Sequence, residues 1–274
     1  MKFDLHVHTN HSDGLFSPEE VVDLAVEKNL NGIAITDHDT ITAIEPAIIH
    51  GKNYEGFTVI PGIEFSSTHL REEIHILGYF INVNDPNIID LTARLRRSRV
   101  NRGIAMIGKL NELGISLSLE DVREFSGDDY IGRPHIARAL IKMNYISTIE
   151  EAFDKYLGSG KPAYVYRDKL TVEETIKAIK DSGGISVLAH PGILKNKDFI
   201  FYTIEKGIDG IECIHSKHSK DDTSYLQEIA KNNNLIITGG SDFHGDTGSN
   251  VDNNSLLGQY FVDINKISAF RERI

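Results

Sequence analysis

The chain has 274 residues, of which 40% are hydrophobic, and a formal net charge of −11. That length suits one large α/β domain with a sizeable core, and the charge lacks the basic surplus with which proteins hold long nucleic acid, although bound metal would add positive charge that a residue count misses. One cysteine, Cys213, excludes an intrachain disulfide framework; with no leader-like start and no bilayer-length apolar run, the expected setting is the cytoplasm, away from the membrane.

The first element is a strand, Phe3-Asp4-Leu5-His6-Val7-His8, whose alternation puts His6 and His8 on one face; it runs into a loop carrying His11 and Asp13. Ser17-Pro18-Glu19-Glu20 then reads as an N-cap, a proline at the first helical position and acids in the first turn, opening an amphipathic helix to about residue 29. Gly32 to Thr36 is a continuous apolar strand ending in Asp37-His38-Asp39, followed by a helix over about 40–52. A third strand spans 57–65 with Glu64 near its end, and a fourth spans 73–80 with His75 inside it.

From residue 85 to 169 the β-α rhythm gives way to helical patterns: a long one over 86–113 and shorter ones near 118–125, 134–143 and 148–157. We read this as an inserted helical subdomain, with the barrel-forming domain made of 1–84 and 170–274. The insert holds the one conspicuous basic cluster (Arg94, Arg96, Arg97, Arg99, Arg102) and a Gly132-Arg133-Pro134-His135 break before a helix. Alternation resumes with a helix at 171–182, a strand ending in Ala189-His190-Pro191, a helix near 197–206, a strand over 209–214 that buries Cys213 and leads to His215, a helix near 220–232, and a last strand running into Ser241-Asp242-Phe243-His244. Seven mostly parallel strands separated by helices predict a closed or nearly closed barrel; an open doubly wound sheet is the alternative.

Five strand ends thus present His, Asp or Glu: His6, His8 and Asp13; Asp37 and His38; Glu64; His190; Asp242 and His244. His75 lies within a strand. Strand ends meet at one mouth of a barrel, and imidazole with carboxylate suits zinc, iron or manganese in an open catalytic site. Taken alone, each residue has an ordinary explanation as a helix cap, a core histidine or an ion pair. So many together exceed what one ion can use and fit two or three, with Glu64 placed to bridge.

These motifs, H-x-H, Thr36-Asp37-His38, Gly62-Ile63-Glu64, His75, Ala189-His190-Pro191 and Ser241-Asp242-Phe243-His244, resemble those of the PHP (polymerase and histidinol phosphatase) family, in the family's order and over nearly the whole chain. The resemblance implies a distorted (β/α)7 barrel with a trinuclear site of divalent ions, Mn²⁺ first, with Fe²⁺ or Zn²⁺ as alternatives. It assigns His6, His8, Glu64 and Asp242 to one ion, Glu64, His75 and His190 to a second, and Asp13, His38 and His244 to a third. His11, His50, His69, His215 and His218 are expected on loops or helices away from the ions, with His215, which follows a strand, the best placed of them to contribute.

The insert and its Gly-Arg-Pro-His resemble the branch acting on nucleotides. The expected reaction is hydrolysis of a nucleotide phosphate monoester, of the AMP or nucleoside 3′,5′-bisphosphate type, by a hydroxide generated on the metals. Arg133 is the candidate phosphate grip and His135 a phosphate contact or proton donor, with Arg99 and Arg102 as lesser substrate contacts. The alternatives are 5′-to-3′ exoribonuclease action on short 5′-phosphorylated RNA, histidinol phosphatase, and an amidohydrolase-type hydrolase, which would usually place a bridging lysine where Glu64 stands. A protein that merely binds metal would show degraded ligand motifs. The partner expected is a small phosphorylated molecule, with no obligate protein partner.

Overall fold

The computed structural model describes residues 1–126, 130–167, 169–245 and 256–274. β1 (Lys2–Val7), α1 (Pro18–Glu27), β2 (Gly32–Ile35), α2 (Ile44–Gly51) and β3 (Thr58–His69) follow the expected alternation. The Ser17 hydroxyl accepts from Glu20 N while the Glu20 carboxylate accepts from Ser17 N, a reciprocal cap that fixes the start of α1. α2 begins later than the pattern suggested, because residues 40 and 41 are irregular and 42 and 43 form a turn.

β4 (Glu72–Tyr79) departs from the parallel rule. It runs antiparallel to both β3 and β6 (Ile185–Leu188), because only Leu70 and Arg71, both with positive φ, separate it from β3, and so short a link cannot make a parallel crossover. β6, β7 (Gly210–His215) and β8 (Ile236–Gly240) restore parallel pairing, with α7 (Val172–Asp181), α8 (Asp198–Glu205) and α9 (Lys220–Asn232) between the elements. Two short strands lie outside the expected seven: β5 (Leu170–Thr171) beside β3, and β9 (Val262–Asp263), antiparallel to β1. After β9 the chain ends in a short helix, α10 (Ser268–Arg271).

The strand order is β8-β7-β6-β4-β3-β2-β1-β9, and β1 also meets the chain just beyond β8, closing a distorted (β/α)7 barrel. His8 N donates to Phe243 O at 2.9 Å and Asp242 N to His6 O at 2.9 Å. Below them the Asp4 carboxylate takes the place of a strand partner, accepting from Ser241 N at 2.9 Å and Gly258 N at 3.1 Å. Gly240 permits this seam, since a Cβ there would lie 2.4 Å from both Cβ and N of His6.

Between β4 and β5 lie α3 (Pro86–Glu112), α4 (Leu119–Arg123), α5 (Arg133–Lys142), α6 (Ile149–Ala152) and a π-turn over Phe153–Leu157. α3 serves two cores: Ile88 and Leu95 pack with the helix-covered outer face of the barrel, whereas Met106, Ile107 and Leu110 join Ile131, Ile136 and Leu140 in a separate apolar cluster. A third cluster packs Phe3, Leu5, Tyr79 and Val187 against Ile264, Ile267 and Phe270 of the last segment. Buried ion pairs tie insert to barrel: Asp39 Oδ2 accepts from Arg99 Nε at 2.8 Å and from Arg167 Nη2 at 2.6 Å.

Candidate metal centre

The structure brings the nine expected side chains to one place. Glu64, wholly buried, lies among five imidazoles: 2.7 Å from His38 Nδ1, 2.9 Å from His75 Nδ1, 3.0 Å from His190 Nε2, 3.4 Å from His8 Nε2 and 3.5 Å from His6 Nε2. Asp242 Oδ1 is 3.3 Å from His8 Nε2 and 3.5 Å from His6 Nε2, so His6, His8, Glu64 and Asp242 face one point. Asp13 is 3.2 Å from His244 Nε2 and 3.8 Å from His38 Nε2. Ligating atoms within 4.8 Å of one another form overlapping groups: His6, His8 and Glu64; His38, Glu64 and His75; and His8, Asp13, His38 and His244. His38 thus adjoins two groups, where the resemblance gives it one.

The donor chemistry fits cations. His6 Nε2, His8 Nε2, Asp13 Oδ1, His38 Nδ1 and Glu64 Oε2 are buried without a hydrogen-bond partner, and orphaned polar atoms of this kind carry a large desolvation cost that a metal ion would offset. Burial alone would raise the Glu64, Asp13 and Asp242 carboxyls, but the surrounding histidines, with Lys217 at Asp242, hold all three well below the usual range. Despite burial, Glu64 and Glu73 lift His75 to about 9, and Asp13 and Asp242 lift His244 to about 9. Burial lowers His8 to about 3 and His190 to about 4. His190 and Asp242 both take left-handed backbone conformations, with φ of 31° and 57°, a strain typical of functional sites.

Sequence reasoning missed the groups behind this set. Glu212, the lone charge in an apolar strand, accepts from His6 Nδ1 at 3.0 Å and from His190 N at 2.8 Å, directing His6 Nε2 at the centre. Glu73 accepts from His75 Nε2 at 3.3 Å and also meets Arg133 at 3.1 Å and Lys169 at 2.8 Å. His215 Nδ1 accepts from Lys217 N, so its hydrogen is assigned to Nε2, which faces Asp242 Oδ2 at 3.5 Å as a donor. Contrary to the expectation of a loop or helix away from the ions, His215 ends β7 beside His6, Glu212 and Asp242; its place at a strand end and that of Glu212 within the same strand were the signals available in advance.

Other residues settle elsewhere. Asp37 braces the loop after β1, accepting from Thr9 N at 2.8 Å and from the Thr9 and Ser12 hydroxyls. His11 bonds Thr42, His50 bonds Asp23, His69 stacks on Tyr202, and His218 bonds Cys213 O. Cys213 is buried and its thiol is pushed up to about 12.

Of the substrate candidates, Arg99 is spent on Asp39 and on Ser66 Oγ at 2.8 Å. His135 is buried, accepts from Gly132 N at 3.2 Å and is held neutral by burial at about 4, which places it in the start of α5. Arg133 lies over the Phe153 ring, and Arg133, Arg99 and Arg102 line a small pocket of 150 Å³ together with Asp13, His38 and His75. Arg102 Nε is buried without a hydrogen-bond partner, and burial and the neighbouring Arg99 and Arg133 lower this guanidinium to about 9.

Comparison with known proteins agrees with this geometry. The chain is 34% identical over 248 residues to the 5′-3′ exoribonuclease Rnm of Escherichia coli, covering 88% of this chain and 85% of the relative. It is 31% identical over 259 residues to the 3′,5′-nucleoside bisphosphate phosphatase of Chromobacterium violaceum, covering 90% of each. A solved Bifidobacterium adolescentis protein described as a metal-dependent phosphoesterase superposes with a TM-score of 0.88 at 28% identity, over 99% of this chain and 96% of that one. The PHP domain profile matches residues 4–182, and the chain belongs to that family of metal-dependent phosphoesterases.

Proposed function

We propose that this phosphoesterase hydrolyses a nucleotide phosphate ester, of the AMP or nucleoside 3′,5′-bisphosphate type, at a centre of three divalent ions held by His6, His8, Asp13, His38, Glu64, His75, His190, Asp242 and His244. Mn²⁺ is the first candidate metal. Bound metals would lower the pKa of water and balance charge on the phosphoryl oxygens. The protein's own contribution is to fix those ligands through Glu212 and Glu73 and to hold the substrate by its phosphate.

The observation that carries this reading is the small pocket against Asp13, His38 and His75, with Arg102 on its wall and the Nε of that side chain buried without a hydrogen-bond partner. Its 150 Å³ leaves room for a phosphate group beside these side chains. A buried guanidinium N–H without an acceptor is costly unless an anion arrives. Arg133 would supply a second, bidentate-capable contact on leaving Glu73. We also assign residues 85–169 as a helical subdomain that roofs the mouth and contributes these arginines. The relatives named above support nucleotide substrates, and the exoribonuclease among them keeps cleavage of short 5′-phosphorylated RNA as the second reading.

The test is phosphate release with Mn²⁺ across AMP, a nucleoside 3′,5′-bisphosphate, histidinol phosphate and short 5′-phosphorylated RNA. Preference for histidinol phosphate would overturn the nucleotide reading. Glu64→Gln should abolish turnover and lower bound metal; full metal content with near-normal turnover would remove Glu64 from the centre.

A further inference from the structure

We propose that a groove beside the candidate metal centre, lined by Arg71, Lys169, Lys195 and Tyr164, seats the downstream strand of a short polynucleotide whose terminal 5′-phosphate occupies the smaller, arginine-lined pocket. This rests on the nucleotide reading above and deepens it. The groove has a volume of 450 Å³ and reaches His75 and His190, whereas the smaller pocket reaches Asp13, His38 and His75. Glu73, His75 and Arg133 line both spaces, so the Glu73–Arg133 pair, 3.1 Å apart, is the wall between them. A substrate with one phosphate behind that wall and the next at the metals has the groove as its way out.

The groove's charge suits a polyanion in a chain that is otherwise acidic. Arg71, Arg133, Lys169 and Lys195 face two acids, Glu72 and Glu73, and Glu73 already lies against both Arg133 and Lys169. Arg71 and Lys195 are exposed, and Tyr164 offers a ring on which a base can stack. Two other large clefts do not fit. One, of 860 Å³, is lined by Asn10, His11, Arg96, Glu124, Phe125 and Tyr130 among others, balances one arginine against one glutamate, and touches none of the nine candidate ligands. The other is largely apolar, lies against β8, β9 and the last segment, and also misses them.

The chemistry is the same with or without a downstream strand. Water adds to phosphorus, the bond from phosphorus to the first nucleotide's 3′ oxygen breaks, and that oxygen takes up a proton. A bisphosphate then releases inorganic phosphate; a longer chain retains that phosphate as its new 5′ end, and its remaining nucleotides need the groove.

The experiment compares wild type with Arg71→Gln/Lys195→Gln. Fluorescence anisotropy with a 5′-phosphorylated hexaribonucleotide carrying phosphorothioate linkages gives affinity as a function of salt. Each neutralised contact should reduce the slope of log affinity against log salt by about 0.7, so about 1.4 for the double variant. The ratio of kcat/KM for the unmodified hexamer to that for a nucleoside 3′,5′-bisphosphate should fall about tenfold. Arg71→Lys should keep the wild-type slope. An unchanged slope and ratio in the double variant, a loss in Arg71→Lys equal to that in Arg71→Gln, or a wild-type protein that cleaves the bisphosphate yet does not bind the hexamer would each overturn the groove assignment. Wild-type inactivity on every nucleotide would refute the nucleotide reading instead, and the anisotropy series would still judge the groove.

Discussion

Glu212→Gln isolates how the protein prepares its metal ligands without touching one. Glu212 is wholly buried and accepts from two donors, His6 Nδ1 at 3.0 Å and His190 N at 2.8 Å. Glutamine is nearly isosteric but offers one carbonyl oxygen, so its amide NH₂ must face one of these donors. Leaving that buried donor unpaired costs about 1–3 kcal/mol of stability. Loss of the carboxylate also makes His6 Nε2 a poorer ligand, which for groups placed behind a metal ligand means ~10–100-fold weaker metal binding, or about 1.4–2.7 kcal/mol. Mn²⁺ affinity measured by competition with a chromophoric chelator, alongside calorimetric unfolding of the metal-free and metal-loaded protein, separates the two effects. Wild-type Mn²⁺ affinity in a variant whose metal-free form merely melts earlier would refute the orienting role and leave Glu212 a packing group.

Arg133→Ala should mainly raise KM for phosphorylated substrates, because it would remove the proposed phosphate contact; unchanged KM and kcat in steady-state assays would exclude Arg133 from the site. Asp39→Asn should destabilise the fold by about 3–5 kcal/mol, since it leaves the buried Arg99 and Arg167 without their counter-charge. Although burial opposes it, Arg99 and Arg167 hold the Asp39 carboxyl well below its ordinary 3.8, so this stabilisation is present above pH 3.8 and is lost as pH falls towards the folded-state value. Urea titrations should therefore show a variant deficit that is constant from about pH 5 to 8 and shrinks in stronger acid; a deficit that grows on acidification would contradict the pairing.

The elements were legible because their signals are local. A reciprocal cap at Ser17 and Glu20, continuous apolar strands and a proline-led α3 each lie within a few residues of sequence. Ligand-type residues at strand ends were legible for the same reason, as position along a strand fixes which end of a barrel a side chain occupies. Partner choice was not. The antiparallel course of β4 depends on how strands pair across the sheet, and local pattern alone left β3 and β4 looking like any two strands of the series.

The same limit applied to charge. Arg99 and Arg102 lie three residues apart on α3 in one basic run and line the same small pocket, yet Arg99 is neutralised by Asp39, sixty residues away, while the Nε of Arg102 has no partner. Glu73 and Glu212 are single acids in strands, and only folding sets them behind His75 and His6. The sequence by itself determined which chemistry is present and at which end of the barrel it gathers, because residue type and strand position are properties of the chain. The tertiary structure alone decided which charges cancel, which imidazole nitrogen faces the centre and which arginine is left for an anion, because each depends on contacts between segments far apart in sequence.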